Sequence, residues 1–337
     1  MSLLVHRPGL MSTLQDEGRL GLLDRGVPPS GALDLELLVI ANRLCGNEDL
    51  EAGLELIGQG PVLEITAESL RLAVAGEAAI RIDGEAMASW RSFTLHRGQR
   101  IELGAITTTR AAYLAVTGGF AAPPILGSRS AYVRAGLGIR LQEGLALALR
   151  NEAAPQGPDL FLPHPDIAPP AVLRVIAGPQ SDAFTLEARR LFFETTWLVG
   201  DLSDRMGLRL QGPKLAHAAG PDIPTEGLVK GCIQVPGDGQ PILLLCDHQT
   251  TGGYAKIAVV IGADMPAAGR LMPGSRVRFQ PVSWAEAKAA LQVSRQRLQT
   301  LLGTIRPLAT LDEAALFAAN LVSGAVDALD QDQGEAR

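Results

Sequence analysis

The run Asp247-His248-Gln249-Thr250-Thr251-Gly252-Gly253-Tyr254 gathers a carboxylate, an amide, two hydroxyls and two glycines. The glycines let backbone N–H groups approach a ligand, and the side chains suit a carboxylate, amide or phosphate substrate. The same residues also make a hydrogen-bonded turn in which the threonines serve only the backbone. Upstream, the tight turn Gly237-Asp238-Gly239 would bring Gln234, a polar residue in an apolar strand, to the same end of a hairpin. A third block holds Ser203, Asp204 and Arg205. Arg205 could pair with Asp204, or bind a substrate carboxylate or phosphate through its bidentate fork. Near the N-terminus, Pro28-Pro29-Ser30-Gly31 is a rigid loop running into a helix. That geometry leaves N–H groups free for an anion, and it is equally that of a capped helix start.

The elements that must hold these groups are mostly strands. Short apolar runs are punctuated by 37 glycines and 22 prolines, which implies many turns. Strands are predicted over 71–75, 79–82, 111–116, 172–176, 241–245 and 257–261. Asp83-Gly84 is a hairpin signal, because both residues tolerate positive φ. Helices are expected over 33–44, with Ser30 and Gly31 just ahead, and over 184–193, capped by Ser181 or Asp182. Two capping boxes, Ser283 with Glu286 and Thr310 with Glu313, open C-terminal helices over 287–302 and 314–329. Asn42 and Asn47 flank the end of the first helix and cap it.

The Pro-rich, weakly periodic stretch 153–170 reads as a linker. It separates an N-terminal domain, 1–152, from a C-terminal one, 171–282. C-terminal helices over 283–330 and a polar, frayed tail over 331–337 follow. Leu95-His-Arg-Gly98-Gln-Arg100 and Leu271-Met-Pro-Gly274-Ser-Arg276 echo one another, which points to duplicated β-domains.

Composition excludes several classes. A net charge of -6 lacks the basic face a nucleic-acid binder needs. No run approaches the ~20 apolar residues of a membrane helix. His6, Arg7 and Pro8 stand where an export signal would be apolar, so the chain is expected in the cytoplasm. The cysteines Cys45, Cys232 and Cys246 and the five scattered histidines show no metal-ligand spacing. There is no P-loop, no Gly-x-Ser-x-Gly elbow and no Met-Lys-Met biotinylation tripeptide.

In order along the chain, the motifs resemble the KipA / allophanate hydrolase subunit 2 family. Gln15-Asp16-Glu17-Gly18-Arg19 fits its Gln-Asp-x-Gly-Arg start. Residues 26–34 fit its Gly-Val-Pro-x-Ser-Gly-Ala-x-Asp loop, and 41–47 its Ala-Asn-x-Leu-x-Gly-Asn helix end. Tyr113-Leu-Ala-Val-Thr-Gly118-Gly119, Gly178-Pro179-Gln180, residues 203–207 and 234–241, and Gln-Thr-Thr-Gly-Gly-Tyr at 249–254 follow. The likeness covers about residues 1–300. It departs over 136–145, shorter and without the usual aspartate, and at Ala255, where proline is common.

The resemblance implies a mainly β fold of two cyclophilin-like β-barrel domains. It implies the C subunit of an ATP-dependent 5-oxoprolinase, opening 5-oxo-L-proline to L-glutamate with an A-type and a B-type partner subunit. ATP with Mg would be used, and biotin would not be attached to this chain. On the motif positions, Gln234, Thr250 and Thr251 would be oxyanion donors, with the Gly252 and Gly253 amides beside them. Asp247 would be the carboxylate that handles protons. Arg205 would grip the substrate carboxylate, with Ser203, Gln249, Tyr254, Ser30 and Gly31 completing the binding set. The family also implies two other roles: a biotin-dependent carboxyltransferase of urea-carboxylase type, and a regulatory protein that antagonises a kinase inhibitor.

Overall fold

A computed structural model of the chain describes residues 2–48, 50–151, 153–163 and 165–308. The fold is mostly β. In the N-terminal half, a six-stranded antiparallel sheet runs Ala146–Ala148, Ser2–Arg7, Val62–Ile65, Arg100–Ile106, Ala78–Ile82, Glu85–Met87. A seven-stranded sheet runs Met11–Gln15, Gly53–Ile57, Ala111–Val116, Ser69–Ala75, Arg91–His96, Leu160–Phe161, Arg306–Pro307. Leu3, Leu63, Ile80 and Leu103 of the first meet Leu54, Leu72, Phe93 and Leu114 of the second in one core. Period-two alternation explains the sorting. The Asp83-Gly84 turn joins its strands with φ of 49° and 92°, as a two-residue hairpin requires.

The other face of the seven-stranded sheet is buried too. Ala111, Tyr113 and Ala115 point away from the first core and pack under helix α1 (Leu35–Cys45). This is why the strand Ala111–Val116 is apolar without interruption. Asp34 is the N-cap of α1, accepting from the N–H groups of Glu36 at 3.0 Å and Leu37 at 3.3 Å. The cap thus lies beyond Ser30 and Gly31: the helix starts at Leu35, and Asp34 is the residue directly ahead of it. Asn47 ties the helix end to the sheet through the Val116 carbonyl and the Gly118 N–H.

The C-terminal half is a closed seven-stranded barrel: Val172–Ala177, Lys256–Val260, Cys232–Gln234, Ile242–Leu244, Gly207–Gln211, Trp197–Val199, Arg276–Pro281. The last strand returns to the first in parallel, and the other pairs are antiparallel. Helix α2 (Leu186–Glu194) plugs one end, with Phe192 stacked on Phe279 at 4.7 Å and Trp197 beside it. Thr185 caps α2; Ser181 and Asp182 lie in a separate 3-10 turn. Outside the barrel, Asp222–Gly227 and Thr251–Tyr254 form a two-stranded flap.

The halves are bound closely. Leu33, from the N-terminal half, is buried in the barrel's core. Helix α3 (Met265–Ala268) leads toward the final strand. Helix α4 (Trp284–Leu302), opened by the expected Ser283–Glu286 capping box, packs Leu298, Leu301 and Leu302 against the α1 side. The stretch 153–163 lies along the N-terminal sheet, where Leu160–Phe161 adds a strand. The second capping box and the tail fall outside the described residues. No described helix is long and apolar enough to cross a membrane.

Candidate functional site

Asp247 follows the barrel strand Ile242–Leu244, and its carboxylate is held by Arg205. The Arg205 Nε donates to Asp247 Oδ2 at 2.8 Å and one Nη to Oδ1 at 3.1 Å. The remaining contacts cross to the N-terminal half, with Gly31 O at 2.7 Å and the Glu55 carboxylate. Both side chains of the pair are almost wholly buried. Burial works against the Arg205 charge, but Glu55 and Asp247 outweigh it and hold the guanidinium above its ordinary pKa. Four donor contacts of Arg205 are thus committed to the protein, which leaves it no open fork for a substrate. Its partner is Asp247, not Asp204. The Asp204 carboxylate instead accepts from the Met206 N–H and meets Arg134 at 3.4 Å.

Glu55 was not singled out in the sequence. It is fully buried, and its Oε2 also accepts from the Leu33 N–H at 2.8 Å and the Tyr113 hydroxyl at 2.5 Å. Burial and the nearby Glu55 charge push the Tyr113 hydroxyl well above its ordinary pKa, so it stays a donor.

In front of this buried cluster lies a cleft of about 230 Å³. Its walls include Arg134, Asp204, Met206, Arg209, Gln234 and Gln249. The Gln249 amide nitrogen donates to Gln234 Oε1 at 3.3 Å. This fixes the Gln234 carboxamide with its own NH₂ lacking a protein acceptor among the described residues. Arg209 is exposed, and its guanidinium has no ion-pair partner among the described residues. The cleft therefore offers an amide donor and a free cation on one barrel face. Ser203 supports the wall from behind: its Oγ accepts from the Arg209 N–H at 3.0 Å, and its carbonyl from Arg110.

The rest of the 247–254 run does different work. His248 is fully buried and hydrogen-bonded from Nδ1 to the Gln249 carbonyl at 2.6 Å, and burial lowers its pKa. Thr250 O accepts from the Leu228 N–H, and Thr251, Gly252 and Tyr254 pair with Gly227, Glu226 and Asp222 in the flap. A Cβ on Gly252 would stand 2.8 Å from Leu228 Cδ1, so glycine here lets the flap close on the barrel. Ser30 adopts φ 54°, and its N–H donates to the Cys246 carbonyl at 3.0 Å. Ser30 and Gly31 therefore form part of the seam between the halves, touching the Asp247 loop from behind.

Beneath the flap lies Lys256, 2% exposed, paired across the ladder with Gln234. Its ammonium meets the flap carboxylate of Glu226, which also accepts from the Gln180 amide at 2.9 Å. The only sequence signal was a lysine between Ala255 and Ile257, in an otherwise apolar strand. The cleft wall therefore joins Gln234, Gln249 and Arg209 on the outer barrel face, with Lys256 buried next to Gln234 beneath the flap and Arg205, Asp247 and Glu55 behind.

Comparison with known proteins places this architecture. The profile described as carboxyltransferase domain, subdomain A and B, matches residues 25–281. The chain is 34% identical over 308 residues to the 5-oxoprolinase C subunit of Escherichia coli (strain K12), covering 89% of this chain and 97% of that protein. It is 31% identical over 279 residues to the protein of the same name from Haemophilus influenzae, covering 82% and 90%. The crystal structure of the K. lactis urea amidolyase superposes with a TM-score of 0.80 at 28% identity. That match takes in 93% of this chain and only 20% of the amidolyase, so the likeness is to one segment of a longer enzyme. The chain belongs to the carboxyltransferase domain family, subdomains A and B.

Proposed function

We propose that this chain is the C subunit of an ATP-dependent 5-oxoprolinase and acts with A-type and B-type partner subunits to open 5-oxo-L-proline to L-glutamate. The observation that carries the reading is the cleft in which Arg209, without an ion-pair partner among the described residues, shares a wall with the Gln234–Gln249 carboxamide pair. 5-Oxoproline presents a carboxylate and a lactam, the two groups such a wall would take. Its near end-to-end match to named 5-oxoprolinase C subunits supports the same assignment.

In this reading Arg209 holds the substrate carboxylate through its fork. The Gln234 NH₂, oriented by Gln249, donates to the lactam oxygen and stabilises the negative charge that grows there as water attacks the carbonyl carbon. When the C–N bond breaks, the ring nitrogen takes the proton released by the attacking water and a second one from Lys256, beside Gln234 in the ladder, once the flap lifts; the proton of the new carboxylic acid then restores the Lys256 ammonium. The Asp247 carboxylate accepts both of its bonds from Arg205 and anchors the loop rather than carrying protons. The cleft, about 230 Å³, is below the ~300–1,000 Å³ of drug-sized pockets. It has room for a five-membered lactam and not for a nucleotide. ATP, with its Mg, is assigned to a site completed by the B-type partner, and no step on this chain is routed through it.

A second reading, carboxyl transfer to a urea-like amide, is favoured by the likeness to the K. lactis urea amidolyase segment. Urea has no carboxylate for Arg209, which ranks this reading second. The test is glutamate release from 5-oxo-L-proline with ATP by the three-subunit mixture. Release that needs all three subunits supports the proposal. No release from a well-assembled complex, together with urea-dependent consumption of carboxybiotin, replaces it with carboxyl transfer.

A further inference from the structure

The Asp247 loop stands on the barrel, but the guanidinium that fixes it is shared with a carboxylate from the other half of the chain. Glu55 lies in the middle of the strand Gly53–Ile57, fully buried, in the second place of the seven-stranded sheet's order. Its oxygens divide their work. Oε2 takes the Leu33 N–H and the Tyr113 hydroxyl, while Oε1 takes Arg205. The Tyr113 oxygen in turn accepts from the Asp34 N–H at 3.0 Å, so Glu55 is braced by the N-cap of α1 and by the central strand Ala111–Val116.

We propose that Glu55 is a positioning residue for the reaction: it holds Arg205 from the N-terminal side, so that Asp247 and the following Gln249 stand where Gln249 orients Gln234. Resting on the oxoprolinase reading for its catalytic consequence, the inference makes the N-terminal half part of the active machinery without touching substrate. Three charges meet here, two carboxylates on one guanidinium, all of them buried. With Glu55 gone, Arg205 keeps Asp247 and the Gly31 carbonyl but loses its charged contact from the N-terminal half, which frees one Nη and lets the pair swing. Burial leaves no solvent to take over the lost hydrogen bond. The pair's drift passes directly to residue 249, two positions further on.

The experiment uses Glu55→Gln in the full chain, assembled with its partner subunits. Gln keeps an acceptor for Leu33 and Tyr113 but turns an NH₂ toward Arg205. Two readouts are taken per folded, assembled molecule. The first is kcat and KM for 5-oxo-L-proline, where kcat is expected to fall about tenfold with KM within about threefold. The second is amide hydrogen exchange, expected to quicken about tenfold over 246–250 and to stay at the wild-type rate in Val172–Ala177 and Lys256–Val260. A purely structural role would loosen those strands as well and leave kcat per folded molecule unchanged. Wild-type values for either readout overturn the proposal. If Glu55→Gln does not fold, Tyr113→Phe, which removes one brace without altering charge, is expected to give the same pattern at about a third of the size, and wild-type behaviour there also overturns it. If the wild-type complex releases no glutamate, it is the oxoprolinase reading that fails, and the exchange pattern still decides the role of Glu55.

Discussion

The side chains of Gln249 and Gln234 meet at 3.3 Å, one on the loop leaving a barrel strand and the other on the neighbouring strand Cys232–Gln234. Gln249 donates and Gln234 accepts, so the outward group of Gln234 is an NH₂. Gln234→Ala removes the donor, and kcat is expected to fall about 100-fold, the scale seen when one oxyanion donor is lost. Gln249→Ala, which removes only the orienting bond, should cost about tenfold. Equal kcat in the two variants would sink this division of roles.

Among the described residues, Arg209 has no ion-pair partner, and it lines the cleft. Arg209→Ala should raise KM for 5-oxo-L-proline by roughly 10- to 100-fold, the loss of a charge-assisted pair of about 1.5–3 kcal/mol, with a smaller change in kcat. Its exposed position means little change in melting temperature. A KM within about twofold of wild type would place the substrate carboxylate elsewhere.

Asp16 gives a test of stability against pH. Burial raises its pKa, but the Ser128 and Ser130 hydroxyls and the Arg129 and Gly18 N–H groups outweigh that and hold it below the usual carboxylate value. A carboxyl whose folded pKa lies below its unfolded value, about 3.9, adds stability above that pH and loses it as pH falls through the folded value. Asp16→Asn should therefore cost about 1.5–3 kcal/mol at about pH 7, measured by urea unfolding, and the gap to wild type should close below about pH 4. A pH-independent gap would contradict the assignment.

Lys256 is covered by the flap through its ion pair with Glu226. Glu226→Ala frees that side of the flap, and acylation of Lys256 by an amine-reactive reagent, followed by mass spectrometry, should quicken several-fold over wild type. The exposed lysines Lys214 and Lys288 serve as internal references. Unchanged labelling would mean that the flap is held by its ladder and glycine contacts alone.

Much of the scaffold was legible because its causes are local. The Asp83-Gly84 hairpin, the strand Ala111–Val116 and the Ser283 cap each depend on residues within a few positions of one another. The pairing of Arg205 was not legible. Its options in sequence were the adjacent Asp204 or a substrate, whereas its partners lie 42 and 150 positions away. Glu55 and Lys256 each stand in apolar strands, where a single charge signals burial with a partner but does not say which one. Gly252 and Gly253 looked like ligand-facing amides because close approach is what glycine permits. The groups that come close are the Leu228 side chain, at Gly252, and the Ile223 carbonyl of the other flap strand, at Gly253.

Arg306–Pro307 is, among the described residues, the outermost strand of the sheet that begins with Met11–Gln15, and it pairs there with Leu160–Phe161. That N-terminal sheet is thus finished by nearly the last described residues, after the barrel has been threaded between them. Synthesis from the N-terminus leaves its edge open until the barrel's closing strand, Arg276–Pro281, and helix α4 have emerged. Folding of the two halves is therefore interlocked in time as well as in space. The N-terminal sheet is finished only once the second half is in place, because the segment that seals the first half is delivered by the second.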